Sequence, residues 1–156
     1  MTDGSADASA ELVASLAGER GWSVGAAESL TSGAVASALG AAPDASSWFR
    51  GAVVAYSSEV KRNLLYVDPG PVVSARCAAQ MARAAAALLG AHAAVATTGA
   101  GGPDPQDDQP VGTVFIAVFT PQGEVVAEHH FDGPPEAVVE QAPDHALALL
   151  AEQLAD

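Results

Sequence analysis

The chain has 156 residues, enough for one domain with a sizeable core, and 49% of them are hydrophobic. Its net charge is -13, and no Lys or Arg follows Arg83. This charge argues against binding nucleic acid or an anionic membrane over a broad surface, because both require extended cationic surfaces. An anionic small molecule is still allowed where a few cations converge.

The cysteine and histidine content restricts the kinds of disulfide and metal site that this protein can contain. Cys77 is the only cysteine, which excludes an intramolecular disulfide and a zinc site built from several thiolates. The acidic, polar start differs from a signal peptide, and no long apolar run predicts a membrane span. The histidines lack the spacing of metal ligands. We therefore expect a cytoplasmic protein without a metal or other cofactor.

Predicted helices and strands alternate along most of the chain. In order, they are a helix at 10–19, a strand at 22–27, a helix at 34–40, a strand at 51–56, a helix at 59–65, a helix capped by Ser74 and ending at Gly90, a strand at 93–97, a hairpin at 112–119 and 124–131, and a helix at 135–154.

This order predicts an α/β protein with three layers, α/β/α, around a mixed, mostly parallel central sheet. We assign residues 1–8 to a disordered tail and residues 9–156 to a single domain. The early strands are expected to be parallel, with their carboxyl ends at one edge. Ligands usually bind at that edge in open α/β sheets.

Two side chains with complementary chemistry follow the first two predicted strands. Ser29 comes directly after the first strand, and Lys61, the only lysine in the chain, follows the second after a few helical residues. A serine needs a base to become a nucleophile, and burial lowers the pKa of a lysine until it can serve as that base. Tyr56, at the end of the second strand, is placed to relay a proton or to orient the pair.

The same residues allow a plainer interpretation. Ser29 or Thr31 can simply cap the next helix, and Lys61 can be a solvated surface residue, since helix caps are far commoner than nucleophiles. Glu28 can hydrogen-bond Lys61 or a substrate, but it can equally satisfy amide groups of the loop. The free amides of the helix start favour an anion, either an oxyanion or a phosphate.

A second loop with potential for binding follows the third strand. It consists of Gly99, Ala100, Gly101 and Gly102. Glycines let backbone amides approach a ligand closely. The loop lacks the lysine of a Walker motif and the spacing of a dinucleotide fingerprint, so a plain turn is an equally good interpretation.

Five short segments, spread over nearly the whole chain, carry a family resemblance. They are Ala27–Gly33 (AESLTSG), Trp48–Gly51 (WFRG), Ala55–Lys61 (AYSSEVK), Thr98–Pro103 (TGAGGP) and Pro110–Thr113 (PVGT). In this order and at these spacings they resemble the CinA C-terminal domain family, over about residues 9–154. One such motif would mean little, whereas five in order are specific.

The resemblance implies an enzyme, because active members of this family are nicotinamide-nucleotide amidohydrolases. It implies hydrolysis of nicotinamide mononucleotide to nicotinate mononucleotide and ammonia, a reaction of pyridine-nucleotide salvage and NAD metabolism. It also implies a compact α/β/α fold, no metal and often a homodimer, for which the alanine-rich helix at 74–90 offers a surface. The family's serine, tyrosine and lysine map onto Ser29, Tyr56 and Lys61. Many members carry a molybdopterin-binding-like domain ahead of this one, and the chain resembles the stand-alone form.

Around these three residues we expect further groups to bind the substrate. They are Glu28, Thr31, Ser32, Gly33, Arg50, Gly99, Ala100, Gly101 and Gly102. Three positions depart from the family pattern. Ser32 replaces a usual glycine, Gln109 stands where a lysine is common, and Val139 and Glu140 stand where the last helix often has an arginine. If those cations meet the nucleotide phosphate, their loss weakens binding about 5- to 150-fold, unless Arg50 or Arg76 compensates.

Two other functions fit parts of the pattern. A non-catalytic member that binds a nucleotide or a partner protein is favoured by the lost cations. A reductase-type pair of Tyr56 and Lys61 ranks well below, because the two residues are five apart. The short-chain reductase pattern is Tyr-x-x-x-Lys, and it comes with an N-terminal nucleotide fingerprint that this chain lacks.

Overall fold

The structure is a computed structural model, which describes residues 6–102 and 104–156. Residues 1–5 of the predicted tail and Pro103 of the glycine loop lie outside the described residues. The helices are α1 (Ala6–Arg20), α2 (Ala34–Gly40), α3 (Ala45–Trp48), α4 (Ser58–Leu65), α5 (Ala75–Leu89) and α6 (Pro135–Ala155), and the strands are β1 (Val24–Glu28), β2 (Phe49–Val54), β3 (Ala93–Gly99), β4 (Thr113–Thr120) and β5 (Gly123–His130).

The strands form one mixed sheet in the order β2-β1-β3-β4-β5. β1 pairs in parallel with both β2 and β3, whereas β4 and β5 are added as an antiparallel hairpin. α4 and α5 cover one face of the sheet, and α1, α2, α3 and α6 cover the other. The predicted three-layer α/β/α fold is confirmed, with the parallel part of the sheet limited to the first three strands.

The inner strands are buried on both faces, so their side chains alternate between two cores. On β4, Val114, Ile116 and Val118 face the core beneath α1 and α6. Phe115 and Ala117 face the core beneath α5. This period of two is the expected pattern of a strand with a helix layer on either side.

Serine caps define the starts of the two helices on the α5 side. The Ser57 side chain accepts a hydrogen bond from the Val60 amide at the start of α4, and Ser74 accepts one from the Cys77 amide at the start of α5, both at 3.1 Å. α5 ends where Gly90 adopts a φ of 65°. The predicted bounds of α5 are therefore confirmed at both ends.

The small side chains of α5 serve the fold itself. Ala78, Ala82 and Ala85 are fully buried in the core that also contains Ala94 and Ala96 of β3. Methyl groups on both surfaces let the helix and the sheet approach closely. These three alanines are therefore used inside the fold, whereas Ala75 and Ala87 of the same helix are exposed, so a contact of α5 with a second copy stays a prediction.

Two predicted boundaries are corrected at the amino-terminal side. α1 begins at Ala6, so residues 6–8 of the predicted tail are helical, and the Ala6 amide donates to Asp144 Oδ1 of α6 at 2.8 Å. The second strand, predicted at 51–56, occupies Phe49–Val54 as β2, and it directly follows the short helix α3, which was not predicted. Among the helices that the structure describes, none is long and apolar enough to cross a membrane.

Candidate active site

The three predicted catalytic residues line one cavity. It has a volume of about 170 Å³ and lies at the carboxyl edge of the parallel strands. Glu28, the last residue of β1, pairs with Val54, the last residue of β2, so the residues that follow the two strands lie at the same edge of the sheet. The cavity is lined by Ser29 and Leu30 after β1, by Tyr56 and Lys61 after β2, and by residues of later segments: Val72, Val73, Thr98, Gly99, Gly101, Gly102, Asp104, Gln106, Pro135 and Val139.

Lys61 is a buried lysine with a fixed side chain. Only 2% of its surface is exposed, and its Nζ donates a hydrogen bond to the backbone carbonyl of Tyr56 at 3.0 Å. Burial lowers the pKa of Lys61, while Cys77 and Asp107 oppose this shift electrostatically. Because burial also raises the pKa of the Cys77 thiol to about 11, that thiol is uncharged near neutral pH. A larger fraction of Lys61 is therefore neutral than in an exposed lysine.

The Ser29 hydroxyl belongs to the wall of the same cavity and is free of hydrogen bonds to the described residues. The residue is 5% exposed, and its Oγ makes no hydrogen bond with residues 6–102 and 104–156. The plainer interpretation of Ser29 as a helix cap does not apply. The N-cap position of α2 is Gly33, which has no side chain that could accept a capping hydrogen bond. An unpartnered hydroxyl in a cavity is available to a ligand or to a base.

Tyr56 contributes to the site through its backbone. Its carbonyl accepts the hydrogen bond from Lys61, whereas 71% of the residue is exposed. The carbonyl thus orients the amine directly. A role of the Tyr56 phenol in orienting Ser29 and Lys61 stays a prediction.

Glu28 anchors the turn that presents Ser29. Its carboxylate is fully buried and accepts hydrogen bonds from the Thr31 hydroxyl at 2.6 Å and from the amides of Gly33, Val35 and Ala36 at 3.0, 3.1 and 2.8 Å. A carboxylate at the start of α2 also interacts favourably with the helix dipole. Glu28, Thr31 and Gly33 therefore stabilise the turn through these hydrogen bonds. None of the three lines the cavity, where substrate-binding groups were expected.

Replacement of Glu28 tests this structural role. We expect Glu28→Gln to lower the free energy of unfolding by about 3 kcal/mol, because an amide group offers one acceptor where four donors converge. Thermal unfolding should then occur roughly 6–12 °C lower. The control is Glu59→Gln, an exposed carboxylate in the first turn of α4, which should change stability by about 0.5 kcal/mol or less. Equal losses in both variants would contradict the anchoring role.

Ser32 occupies a backbone conformation that favours glycine. Its φ is 50°, in the left-handed region, and its amide donates to the Ser29 carbonyl at 3.1 Å. The side chain is exposed and lies outside the cavity wall. This serine therefore adds backbone strain without crowding a ligand, and its amide is already used within the turn.

The glycine loop divides into a structural and an accessible part. Ala100 is buried, and it exchanges backbone hydrogen bonds with Gly112 and Thr113, so it extends the β3–β4 contact. Gly101 and Gly102 line the cavity, and their amides have no hydrogen-bond partner in the described part of the chain. Of the two groups of amides considered for an oxyanion, these fit better, because the Gly33 amide is held by Glu28.

Arg50 lies at the opposite edge of the sheet. It stands at the amino-terminal end of β2, five residues before Ala55, which corresponds to roughly 16 Å along a strand. Its Nε donates to the Leu89 carbonyl at 2.9 Å. Within one chain, Arg50 therefore lies outside the cavity wall, and the structure does not support its assignment as a substrate-binding residue there. Arg76, the other proposed cation, forms an exposed ion pair with Asp68.

Comparison with known proteins places these motifs in a family. Residues 6–154 match the model of the CinA C-terminal domain. The chain belongs to the CinA C-terminal domain family. A CinA-like protein of Frankia casuarinae is 40% identical over 97% of this chain, which covers 36% of that protein. This CinA-family chain spans about a third of the length of the curated relatives that it matches.

Solved structures agree with the fold. The competence damage-inducible protein A of Klebsiella pneumoniae is 36% identical, with a TM-score of 0.91 over 97% of this chain and 98% of that one. A CinA superfamily protein of Escherichia coli is 31% identical, with a TM-score of 0.91 over 97% and 93% of the two chains. The architecture of this chain thus agrees with these CinA-family structures over nearly its whole length.

Sequence reasoning missed the contribution of the acidic loop in this CinA-family chain. Gln106 and Gln109 exchange backbone hydrogen bonds at 3.1 and 2.8 Å around Asp107 and Asp108, whose φ values are 54° and 63°. Two positive φ values between paired residues are typical of a type I′ turn. The signal present in the sequence was the Asp107-Asp108 pair, because aspartate tolerates this backbone conformation better than most residues.

Asp107 connects this turn to the wall of the cavity. Its Oδ2 accepts hydrogen bonds from the amides of Val72 and Val73 at 2.9 and 3.1 Å. The Val72 carbonyl in turn accepts one from the Thr98 hydroxyl at 2.7 Å. Asp107 and Thr98 therefore fix the backbone of segment 72–73, which lines the cavity together with Lys61. No cluster of three or more His, Cys, Asp or Glu side chains in the described residues could hold a metal ion.

Proposed function

We propose that this chain is an amidohydrolase that converts nicotinamide mononucleotide to nicotinate mononucleotide and ammonia. The observation that carries the proposal is the pairing, in one cavity, of an unpartnered serine hydroxyl with a buried lysine of lowered pKa. Family membership supports it, because the resemblance described above assigns the catalytic roles to the same Ser29, Tyr56 and Lys61.

The first half of the reaction forms an acyl-enzyme. Ser29 Oγ attacks the carboxamide carbon while the neutral amine of Lys61 takes the hydroxyl proton. The hydrogen bond to the Tyr56 carbonyl fixes the side chain of Lys61 and leaves its lone pair for that proton. The amides of Gly101 and Gly102 supply donors for the negative oxygen that develops. Lys61 then protonates the leaving nitrogen, and ammonia departs.

The second half regenerates the serine. Lys61 is neutral again after ammonia leaves, so it can deprotonate a water molecule that attacks the ester carbon. The ester bond to Ser29 breaks, and Lys61 returns the proton to Oγ. The overall change consumes one water molecule and yields a carboxylate and an ammonium ion, the ionised forms of the carboxylic acid and the ammonia that are released, with no redox step.

Ammonia release from nicotinamide mononucleotide tests the proposal directly. Purified wild-type protein is expected to release ammonia and nicotinate mononucleotide in equal amounts, measured by a coupled ammonia assay and by chromatography. Binding of the nucleotide without any turnover would overturn the amidase proposal and favour a non-catalytic nucleotide-binding member of the family.

Assembly and location are part of the same proposal. Several apolar side chains around Lys61 are exposed on β2, α4 and the adjoining turns: Val54, Tyr56, Val60, Leu64 and Tyr66. This surface supports a homodimer, since burial of exposed apolar groups drives association. The single free cysteine, Cys77, agrees with the proposed cytoplasmic location.

Asp107 should affect the reaction through the cavity wall and through charge. In Asp107→Asn a neutral oxygen replaces the carboxylate that anchors Val72 and Val73, so kcat/KM should fall about fivefold. Because Asp107 favours the protonated form of Lys61, the pKa of Lys61 should fall further, moving the acid limb of the pH profile to lower pH.

The matched control for this prediction is Asp108→Asn. Asp108 has the same charge and a similar positive φ, but its side chain makes no hydrogen bond among the described residues. It should leave both the rate and the pH profile unchanged. Equal effects of the two substitutions would show that general charge, and not the contact with segment 72–73, is responsible.

A further inference from the structure

The arginines of this chain lie outside the cavity wall. Within the described residues, Lys61 is the only Lys or Arg in the cavity wall. Arg20 and Arg50 donate to backbone carbonyls, Arg76 and Arg83 pair with Asp68 and Glu124, and Arg62 is exposed on α4. Lys61 must be neutral when it acts as the base. Within one chain, the cavity wall therefore offers no permanent cation to a phosphate group.

The cavity is too small for a whole nucleotide. Its volume of about 170 Å³ lies below the roughly 300–1,000 Å³ of sites that enclose a drug-sized ligand. It can hold a pyridinium ring with its carboxamide, and the rest of the substrate must extend outside. Asp104 in the wall is complementary to the positive charge of such a ring.

The cavity borders a wider groove with an acidic rim. Pro135 and Val139 of α6 line both the cavity and this groove, which has a volume of about 820 Å³. The exposed carboxylates of Glu136 and Glu140 lie along the same helix and line the groove. A phosphate that extends past Pro135 and Val139 would therefore meet two negative charges within about a Debye length.

We infer that the site prefers a pyridinium riboside whose 5′ hydroxyl is free over the corresponding 5′-phosphate. This inference rests on the proposed function: Ser29 attacks the same carboxamide, water is consumed and ammonia is released, and only the charge of the remote end differs. Nicotinamide riboside is a cation, whereas its phosphate carries a dianionic group near neutral pH. We expect kcat/KM for the riboside to exceed that for the mononucleotide at least about tenfold.

The two substrates are compared side by side by ammonia release, at low and at high salt. The riboside should react faster, and the ratio should shrink at high salt, because salt screens the repulsion of the phosphate. A mononucleotide that reacts as fast as the riboside would overturn this inference and leave the amidase proposal intact. Release of ammonia from neither substrate would overturn both.

Variants that neutralise carboxylates of α6 test whether these charges cause the preference for the riboside. The double variant Glu136→Gln/Glu140→Gln should raise kcat/KM for the mononucleotide about fivefold and should not raise it for the riboside, because the riboside carries no group that the carboxylates repel. Glu152→Gln removes a carboxylate from the same helix outside the cavity and the groove, and should alter neither value. Binding of both ligands to Ser29→Ala, measured by calorimetry, should show the same order of affinities. An unchanged ratio in the double variant would overturn the inference.

Discussion

Ser29→Ala is expected to lower kcat for ammonia release by at least about 10³-fold, because the nucleophile is lost and only binding and oxyanion stabilisation remain. The Ser29 hydroxyl makes no hydrogen bond with the described residues, so its removal should change the free energy of unfolding by about 0.5 kcal/mol or less. A loss of activity with unchanged thermal unfolding therefore reports on chemistry and not on folding.

Two further observations sharpen the Ser29 experiment. Rapid acid quenching of the wild-type protein during turnover should trap an acyl group on Ser29, detectable by peptide mass spectrometry, and the alanine variant should show none. Ser15→Ala, an exposed serine of α1, serves as the matched control and should retain full activity. Turnover that survives in Ser29→Ala would reject the covalent mechanism.

Lys61→Arg is expected to reduce kcat/KM by a similar factor, at least about 10³-fold, because a guanidinium remains protonated and cannot accept the serine proton. The neighbouring Arg62→Lys is the matched control, since it makes the reverse exchange on the exposed side of α4 and should leave activity unchanged. Comparable activity of Lys61→Arg and the wild type would exclude Lys61 as the base.

The pH dependence follows from the direction of the Lys61 shift. Only the neutral amine is active, so kcat/KM should rise with pH and level off above the lowered pKa of Lys61. Stability should move in the same direction. Between that lowered pKa and the ordinary lysine value of about 10.4, the unfolded chain binds more protons, so the free energy of unfolding rises with pH. This contribution should disappear in Lys61→Met, measured by denaturant unfolding at several pH values.

The shared location of Ser29 and Lys61 could be predicted because it depends on short-range rules. Each follows an apolar strand, and the connections between the strands contain helices, which makes the strands parallel. Parallel strands end at one edge, so residues that follow them lie together. The burial of Lys61, on which the proposed chemistry depends, required the packing of α4 against α5.

Other assignments needed the folded chain. Glu28 directly precedes Ser29, yet its carboxylate binds the amides of α2 and no ligand, because the turn brings four donors around it. Arg50 belongs to a family motif, but a strand of fixed rise carries it to the far edge of the sheet. Asp107 reaches Val72 and Val73 across more than thirty positions, with no periodic signal between them.

By itself, the sequence determined the layered α/β/α fold, the family and the edge where Ser29 and Lys61 meet, because periodicity, caps and motif order are local properties of the chain. Only the tertiary structure decided which polar groups are already satisfied and which remain free for a ligand. Hydrogen-bond partners and burial depend on segments far apart in sequence, and packing alone brings those segments together.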